Sequence, residues 1–181
     1  MQEAELVKKC LSGDQKACKE LYLGYAPGLL SLCHRYFNHT AEAEDALQEG
    51  FIKVFQSLEI WKGTGFFGAW IRRIVVNTCI SRLQSQYYLS TQLGEEYIPE
   101  VHNDPDIFNQ LQYDELEKII KDMPVGYRTV FNLCIIEGYS YEEVSNMIQI
   151  KEGTCRSQLH KAKNYLAKRL QRIHPELKLP A

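Results

Sequence analysis

No apolar run in the 181 residues approaches the roughly 18 needed to cross a bilayer; the best, Val130 to Ile136, is short and interrupted by Asn132. The start, Met1-Gln2-Glu3-Ala4-Glu5, is acidic where a secretory signal would be basic and then apolar, so a soluble, cytoplasmic protein without membrane insertion is expected. No C-x-x-C pair occurs among Cys10, Cys18, Cys33, Cys79, Cys134 and Cys155, and the five histidines form no H-x-x-x-H or Cys/His cluster, which leaves a zinc site without ligands. The cysteines fall mostly among apolar residues at helical spacing and are expected to be buried free thiols. No constellation of nucleophile, base or metal ligands marks an enzyme, and no metal or cofactor is expected. Only 11 glycines and 6 prolines, beside 45% hydrophobic residues, exclude collagen-like repeats and a wholly disordered chain.

An excess of positive charge is also missing. Against 21 Lys and Arg stand 23 Asp and Glu, a net charge of -2 that taken whole argues against a nucleic-acid partner. The distribution reverses that inference. Residues 1–82 carry +1, residues 83–117 carry -8 with no Lys or Arg at all, and residues 118–181 carry +5. The near-neutral total hides an acidic middle and a basic end.

What is present is helical spacing nearly everywhere, and the chain is expected to be all-α. Gly13-Asp14 precedes a helix through about Tyr25, and Pro27 starts another that stops near Asn38. Thr40 stands at the N-cap of a third helix whose Leu47, Phe51, Val54, Phe55 and Leu58 form a core-facing stripe. Gly63, Gly65 and Gly68 punctuate an aromatic turn, after which Phe67, Ile71, Ile74, Val75 and Thr78 form one face of a helix ending near Leu83. The acidic stretch with Pro99 and Pro105 reads as a flexible linker. Domains are therefore expected at 1–84 and 113–181, joined by a linker at 85–112.

In the second domain Pro124 starts a helix with Val130, Phe131, Cys134 and Ile135 on one face, and Gly138 ends it. Ser140, with Glu143 three residues on, has the spacing of a capping box. Cys155, Leu159, Ala162, Leu166 and Leu170 then recur as the apolar stripe of a last helix. Two helices joined by a tight turn, the second with a basic outer face, form a helix-turn-helix.

Three surfaces carry chemistry. On the last helix Arg156, Ser157, His160, Lys161 and Asn164 point away from the stripe, and the segment from Lys151 to Arg172 has a local balance of +6. Such donors can address guanine O6/N7 and backbone phosphates. On the helix after Thr40, Asp45, Gln48, Glu49 and Ile52 lie opposite the stripe, an acidic and amide face with one apolar residue, suited to a partner helix rich in Arg and Lys. Trp61, Phe66, Phe67 and Trp70 crowd the glycine-rich segment before Arg72, Arg73 and Asn77. Aromatic platforms beside cations and an amide are what single-stranded or flipped bases need. Phe67 and Trp70 are read largely as core, and Asn77, between Val76 and Thr78, as a polar contact.

The combination resembles the extracytoplasmic-function (ECF) group of bacterial RNA polymerase sigma factors, the compact members of the sigma-70 family. A-E-D-A-L-Q-E-G-F-I-K-V-F-Q-S-L (Ala43 to Leu58) and W-I-R-R-I-V-V-N-T-C (Trp70 to Cys79) resemble region two. M-P-V-G-Y-R-T-V-F (Met123 to Phe131), E-G-Y-S-Y-E-E-V (Glu137 to Val144) and E-G-T-C-R-S-Q-L-H-K-A-K (Glu152 to Lys163) resemble region four.

The resemblance implies a factor that binds core RNA polymerase and directs it to promoters without being an enzyme. Asp45, Gln48, Glu49 and Ile52 would dock on the coiled coil of the largest subunit, and the flap would be a second polymerase contact. Trp61, Phe66, Arg72, Arg73 and Asn77 would read and melt the -10 element, Asn77 receiving a flipped base. Arg156, Ser157, His160, Lys161 and Asn164 would read the -35 element. An anti-sigma protein is a further implied partner. Gln149 and Lys151 depart from the family's usual Gly and Ser in the turn, and Lys151 removes the usual N-cap. A stand-alone helix-turn-helix regulator is the competing reading; it leaves the Asp45 face and the aromatic cluster idle.

Overall fold

The computed structural model describes residues 3–61, 63–92 and 113–175, and among them the regular structure is helical, with no strand. The chain divides into two units, Met1–Leu83 and Gln84–Ala181.

The first unit opens with α1 (Glu3–Leu11) and α2 (Gln15–His34). Gly13, at φ +85°, turns the chain between them. Asp14 caps α2 by accepting from the backbone N–H of Lys16 at 2.9 Å and of Ala17 at 3.3 Å. Where two helices meeting at Pro27 are expected from sequence, α2 runs through it as one helix. Pro27 lies on the solvent side with Leu23, which is 58% exposed, so the hydrogen bond that proline removes is lost where water can replace it. The opposite face, with Leu21, Ala26, Leu29, Leu32 and Cys33, stays buried without a break.

α3 (Thr40–Ser57) has His39 rather than Thr40 at its N-cap, and that side chain makes no capping hydrogen bond. Leu47, Phe51, Val54 and Leu58 of the expected stripe are buried and Phe55 is half-buried. A 3-10 turn (Leu58–Ile60) leads to the glycine-rich segment and α4 (Phe67–Gln92). α3 and α4 meet at Gly50, where an added Cβ would lie 2.9 Å from Val75 Cγ2. α4 passes the expected end at Leu83 because no glycine or proline interrupts residues 69–93. The first part of the expected linker is therefore helix; residues 93–112, which hold the rest of it, lie outside the described residues.

The second unit comprises α5 (Tyr113–Lys121), α6 (Val125–Phe131), a π-helical turn (Asn132–Ile136), α7 (Tyr141–Ile148) and α8 (Glu152–Ile173). Pro124 is the N-cap of α6, and Gly138, at φ +78°, ends the segment. Ile135 is 48% exposed, a departure from the face expected for it. The π turn is the reason: Glu137 N–H donates to Asn132 O at 2.9 Å, five residues back, and the extra residue rotates Ile135 outward while Leu133 is fully buried. Ile119, Ile120, Met123, Val130, Leu133, Val144, Cys155, Leu159 and Ala162 make the core. Arg128 is buried beneath α6 and donates to Lys121 O at 2.6 Å. The Tyr165 hydroxyl donates to Asp122 O at 3.0 Å, and His174 Nε2 meets Glu115 Oε2 at the same distance, tying α8 to α5 and the turn after it.

All six cysteines are free thiols; Cys10, Cys33, Cys79 and Cys155 are buried, Cys18 and Cys134 half-buried. Burial pushes the Cys10 and Cys134 thiols up to about 12, which keeps both protonated and unreactive at neutral pH. No group of three or more metal-ligating side chains occurs among the described residues, and no helix among them is long and apolar enough to cross a membrane.

Candidate partner and nucleic-acid interfaces

The outer face of α3 is built as its spacing predicts. Asp45 and Gln48 are exposed, Glu49 is half-buried, and Ile52 stands 57% exposed among them. One residue absent from the sequence reading joins them. Arg82 reaches from α4 to give Nη1 to Glu49 Oε2 at 3.1 Å and Nη2 to Asp45 Oδ2 at 3.3 Å. Lys53 Nζ also meets Glu49 Oε1 at 2.7 Å. Lys53 first, and Arg82 after it, hold the Glu49 carboxyl below its ordinary range, against the opposing effect of burial. The face is thus less acidic than its own helix implies, with carboxylates already set in place by a neighbour. Separations of 33 and 37 residues hid Arg82 from any reading of helical spacing.

The aromatic segment separates into core and surface. Phe67 is fully buried, with Trp61 edge-on at 4.7 Å, Trp70 stacked at 5.6 Å and Tyr25 edge-on at 5.8 Å. Trp61 and Trp70 are half-buried around it. Phe66, by contrast, is 87% exposed, and Ile60, which the sequence reading passed over, is 72% exposed. Gly63 and Gly65, at φ +70° and +77°, take the left-handed backbone conformation that turns the intervening loop. Beyond it α4 presents Arg73 and Asn77 to solvent with Arg72 half-buried. Protruding apolar side chains, with an exposed cation and amide further along α4, are the kinds of group that wedge into a base step and receive an unstacked base. Trp61 contributes more to the wall behind this surface than to the surface itself.

In the second unit the Ser140 hydroxyl accepts from Glu143 N–H at 3.2 Å while Glu143 Oε2 accepts from Ser140 N–H at 2.9 Å, completing the capping box. Gln149 ends α7 in the left-handed region at φ 57°, the geometry for which the turn usually has glycine, and its Nε2 donates to Asn146 O at 2.7 Å. Lys151 stands at the N-cap of α8 with no side-chain capping bond. From α8 Arg156, Ser157, His160, Lys161 and Asn164 are all exposed, while Cys155, Leu159 and Ala162 face the core. Their neighbours restrain them. Arg156 Nη2 meets Glu152 Oε2 at 3.2 Å with its Cζ 5.3 Å from the Tyr141 ring centroid, Lys161 Nζ lies 6.0 Å from that of Tyr127, and Asn164 Nδ2 is 3.0 Å from His160 Nε2.

Residues 21–87 match the family model described as sigma-70 region 2, and residues 113–166 the one described as sigma-70, region 4. The RNA polymerase sigma-H factor of Pseudomonas aeruginosa is 31% identical over 182 residues, covering 94% of this chain and 94% of the relative. The ECF RNA polymerase sigma factor SigW of Bacillus subtilis is 28% identical over 181 residues, covering 91% and 95%. Among solved structures, the sigma factor RpoE of Bartonella quintana, in complex with the anti-sigma factor NepR, shares the fold with a TM-score of 0.59 at 21% identity, over 84% of this chain and 96% of that one. CnrH, solved with the cytosolic domain of CnrY, gives a TM-score of 0.50 at 18% identity, over 92% and 96%. A chain whose described regular structure is helical, with these two regions in this order and matched over nearly its whole length, belongs to the ECF group of the sigma-70 family of RNA polymerase sigma factors.

Proposed function

We propose that this chain, a transcription initiation factor of the sigma-70 family, divides its work among the three surfaces above. The α3 face of Asp45, Gln48, Glu49 and Ile52 docks on a basic helical element of core RNA polymerase. Ile60, Phe66, Arg73 and Asn77 open and hold the -10 element, with Trp61 and Arg72 supporting them. Arg156, Ser157, His160, Lys161 and Asn164 read the -35 element. In this reading residues 1–84 and 113–181 are the working domains, with 85–112 between them. The sigma factor RpoE solved with the anti-sigma factor NepR supports an anti-sigma protein as a further partner of this chain.

The observation that carries the division is where apolar side chains protrude: Phe66 at 87% and Ile52 at 57% exposed stand beside the buried Phe67 and Phe51, each on a surface that also carries charged or amide side chains. A stand-alone helix-turn-helix regulator accounts for α8 but for neither of these residues.

The test is reconstitution. Core polymerase mixed with the purified chain gives specific initiation from a subset of promoters, and the transcripts' start sites define its -10 and -35 sequences. A chain that never comigrates with core polymerase, yet binds an operator tightly alone, would overturn the assignment.

A further inference from the structure

Arg156 is held from two sides. Glu152, one turn earlier on α8, takes its Nη2 at 3.2 Å, and the Tyr141 ring of α7 lies 5.3 Å from its Cζ. Tyr141 is the first residue of α7, immediately after the capping-box serine, so the helix start that Ser140 and Glu143 fix also fixes the ring. The Arg156 side chain is 65% exposed, and without these neighbours it would sample many rotamers. Bidentate donation to guanine O6 and N7 needs one orientation of the planar guanidinium, and a π face restrains that plane without using its outer N–H groups. Glu152 adds a negative charge that disfavours a nearby phosphate, which favours a base edge over the backbone as the partner of Arg156.

We propose that Tyr141 is a positioning residue for -35 recognition, its ring holding the Arg156 guanidinium oriented toward a guanine and so setting the selectivity at one base pair. The proposal rests on the assignment of α8 as the -35 reader. It separates two roles within one helix-turn-helix: α8 supplies the donors, and the N-terminus of α7 decides how sharply one of them discriminates.

The test uses holoenzyme reconstituted from core polymerase and the full chain, transcribing a promoter library randomised across the -35 element. Arg156→Ala identifies the base pair concerned by flattening the preference there. Tyr141→Leu lowers the guanine preference at that same pair by about two- to five-fold, the range of an exposed cation–π contact, and leaves the other -35 and -10 preferences as they were. Tyr141→Phe, which keeps the ring, retains the preference. Glu152→Gln lowers it at the same pair by a smaller factor, and Tyr141→Met carries the Tyr141 test if Tyr141→Leu loses its helical circular dichroism.

An even loss across all -35 sequences in Tyr141→Leu would mark a structural or phosphate-contact role and overturn the proposal. So would an equal loss in Tyr141→Phe, or an unchanged preference in Tyr141→Leu. If Arg156→Ala flattens no position, the -35 assignment of α8 falls with it; if Arg156→Ala flattens one and Tyr141→Leu does not, only the positioning role falls.

Discussion

Arg82 and Glu49, 33 residues apart in sequence, form an ion pair of 3.1 Å that joins α4 to the outer face of α3. The same guanidinium reaches Asp45 at 3.3 Å, so one cation spans two of the carboxylates assigned to polymerase docking. Replacing Asp45 and Gln48 together by Ala is expected to weaken binding to core polymerase at least tenfold, because charge-assisted contacts contribute about 1.5–3 kcal/mol each. Thermal stability is expected to change little, since both side chains are exposed. Binding measured by fluorescence anisotropy beside a melting curve separates the two effects.

Adjacent phenylalanines give opposite outcomes. Phe67→Ala removes a fully buried ring contacted by three aromatic neighbours and is expected to cost about 3–5 kcal/mol in denaturant unfolding. Phe66→Ala, at an 87% exposed side chain, is expected to leave stability within about 0.5 kcal/mol. Its defect appears in promoter opening, read by the fluorescence of a base analogue in the -10 element. Normal opening by the Phe66 variant would remove this residue from the melting surface.

The turn between α7 and α8 lacks two ordinary stabilisers. Lys151→Ser supplies the missing N-cap and is expected to stabilise the second unit by about 1 kcal/mol. Gln149→Gly relieves a left-handed backbone at φ 57°, with a gross gain of roughly 1–2 kcal/mol. It also loses the Gln149 to Asn146 hydrogen bond, so its net gain is smaller than that. Guanidinium titrations of both variants, with the double variant to check additivity, measure this directly.

Glu49 contributes a pH dependence of definite sign. Lys53 first, then Arg82, hold its folded carboxyl below the ordinary value of 4.5, with burial acting the other way. Its stabilising contribution is therefore complete above that ordinary value and is lost as pH falls through the lower folded value. Glu49→Gln is expected to flatten the fall of melting temperature in that acid range, and modestly, because the side chain is 37% exposed. An unchanged acid slope would show that the pair contributes nothing in solution.

The helical class, the stripe on α3, the capping box at Ser140 and the exposed donors of α8 were legible because each depends on residues within one or two turns of each other. Pro27 misled because it lies on the solvent face of α2, where water can take the carbonyl it leaves unbonded and the buried face continues past it. The end of α4 was misplaced because the stretch without Lys or Arg that marks the linker begins at Leu83, well before Gly94, the first residue there that breaks a helix. Arg82 and Ile60 were missed for a different reason. Arg82 depends on a tertiary approach set by Gly50 against Val75, and Ile60 protrudes because the 3-10 turn takes it off the α3 stripe. Trp61 and Phe66 share an aromatic segment and part ways only once Phe67 is placed as the buried hub.

The π turn at Asn132–Ile136 carries one residue more than an α-helical path would use. That surplus acts as a phase shifter. Were one residue deleted there, continuous α-helix would bring the following side chains round by about 100° and move Gly138 off the bend that sends the chain toward α7. The length of this segment, as much as its chemistry, sets how α7 and α8 are presented from a common core, and a single-residue deletion between Asn132 and Ile136 would change the motif's aim while leaving every one of the side chains proposed to read DNA in the sequence.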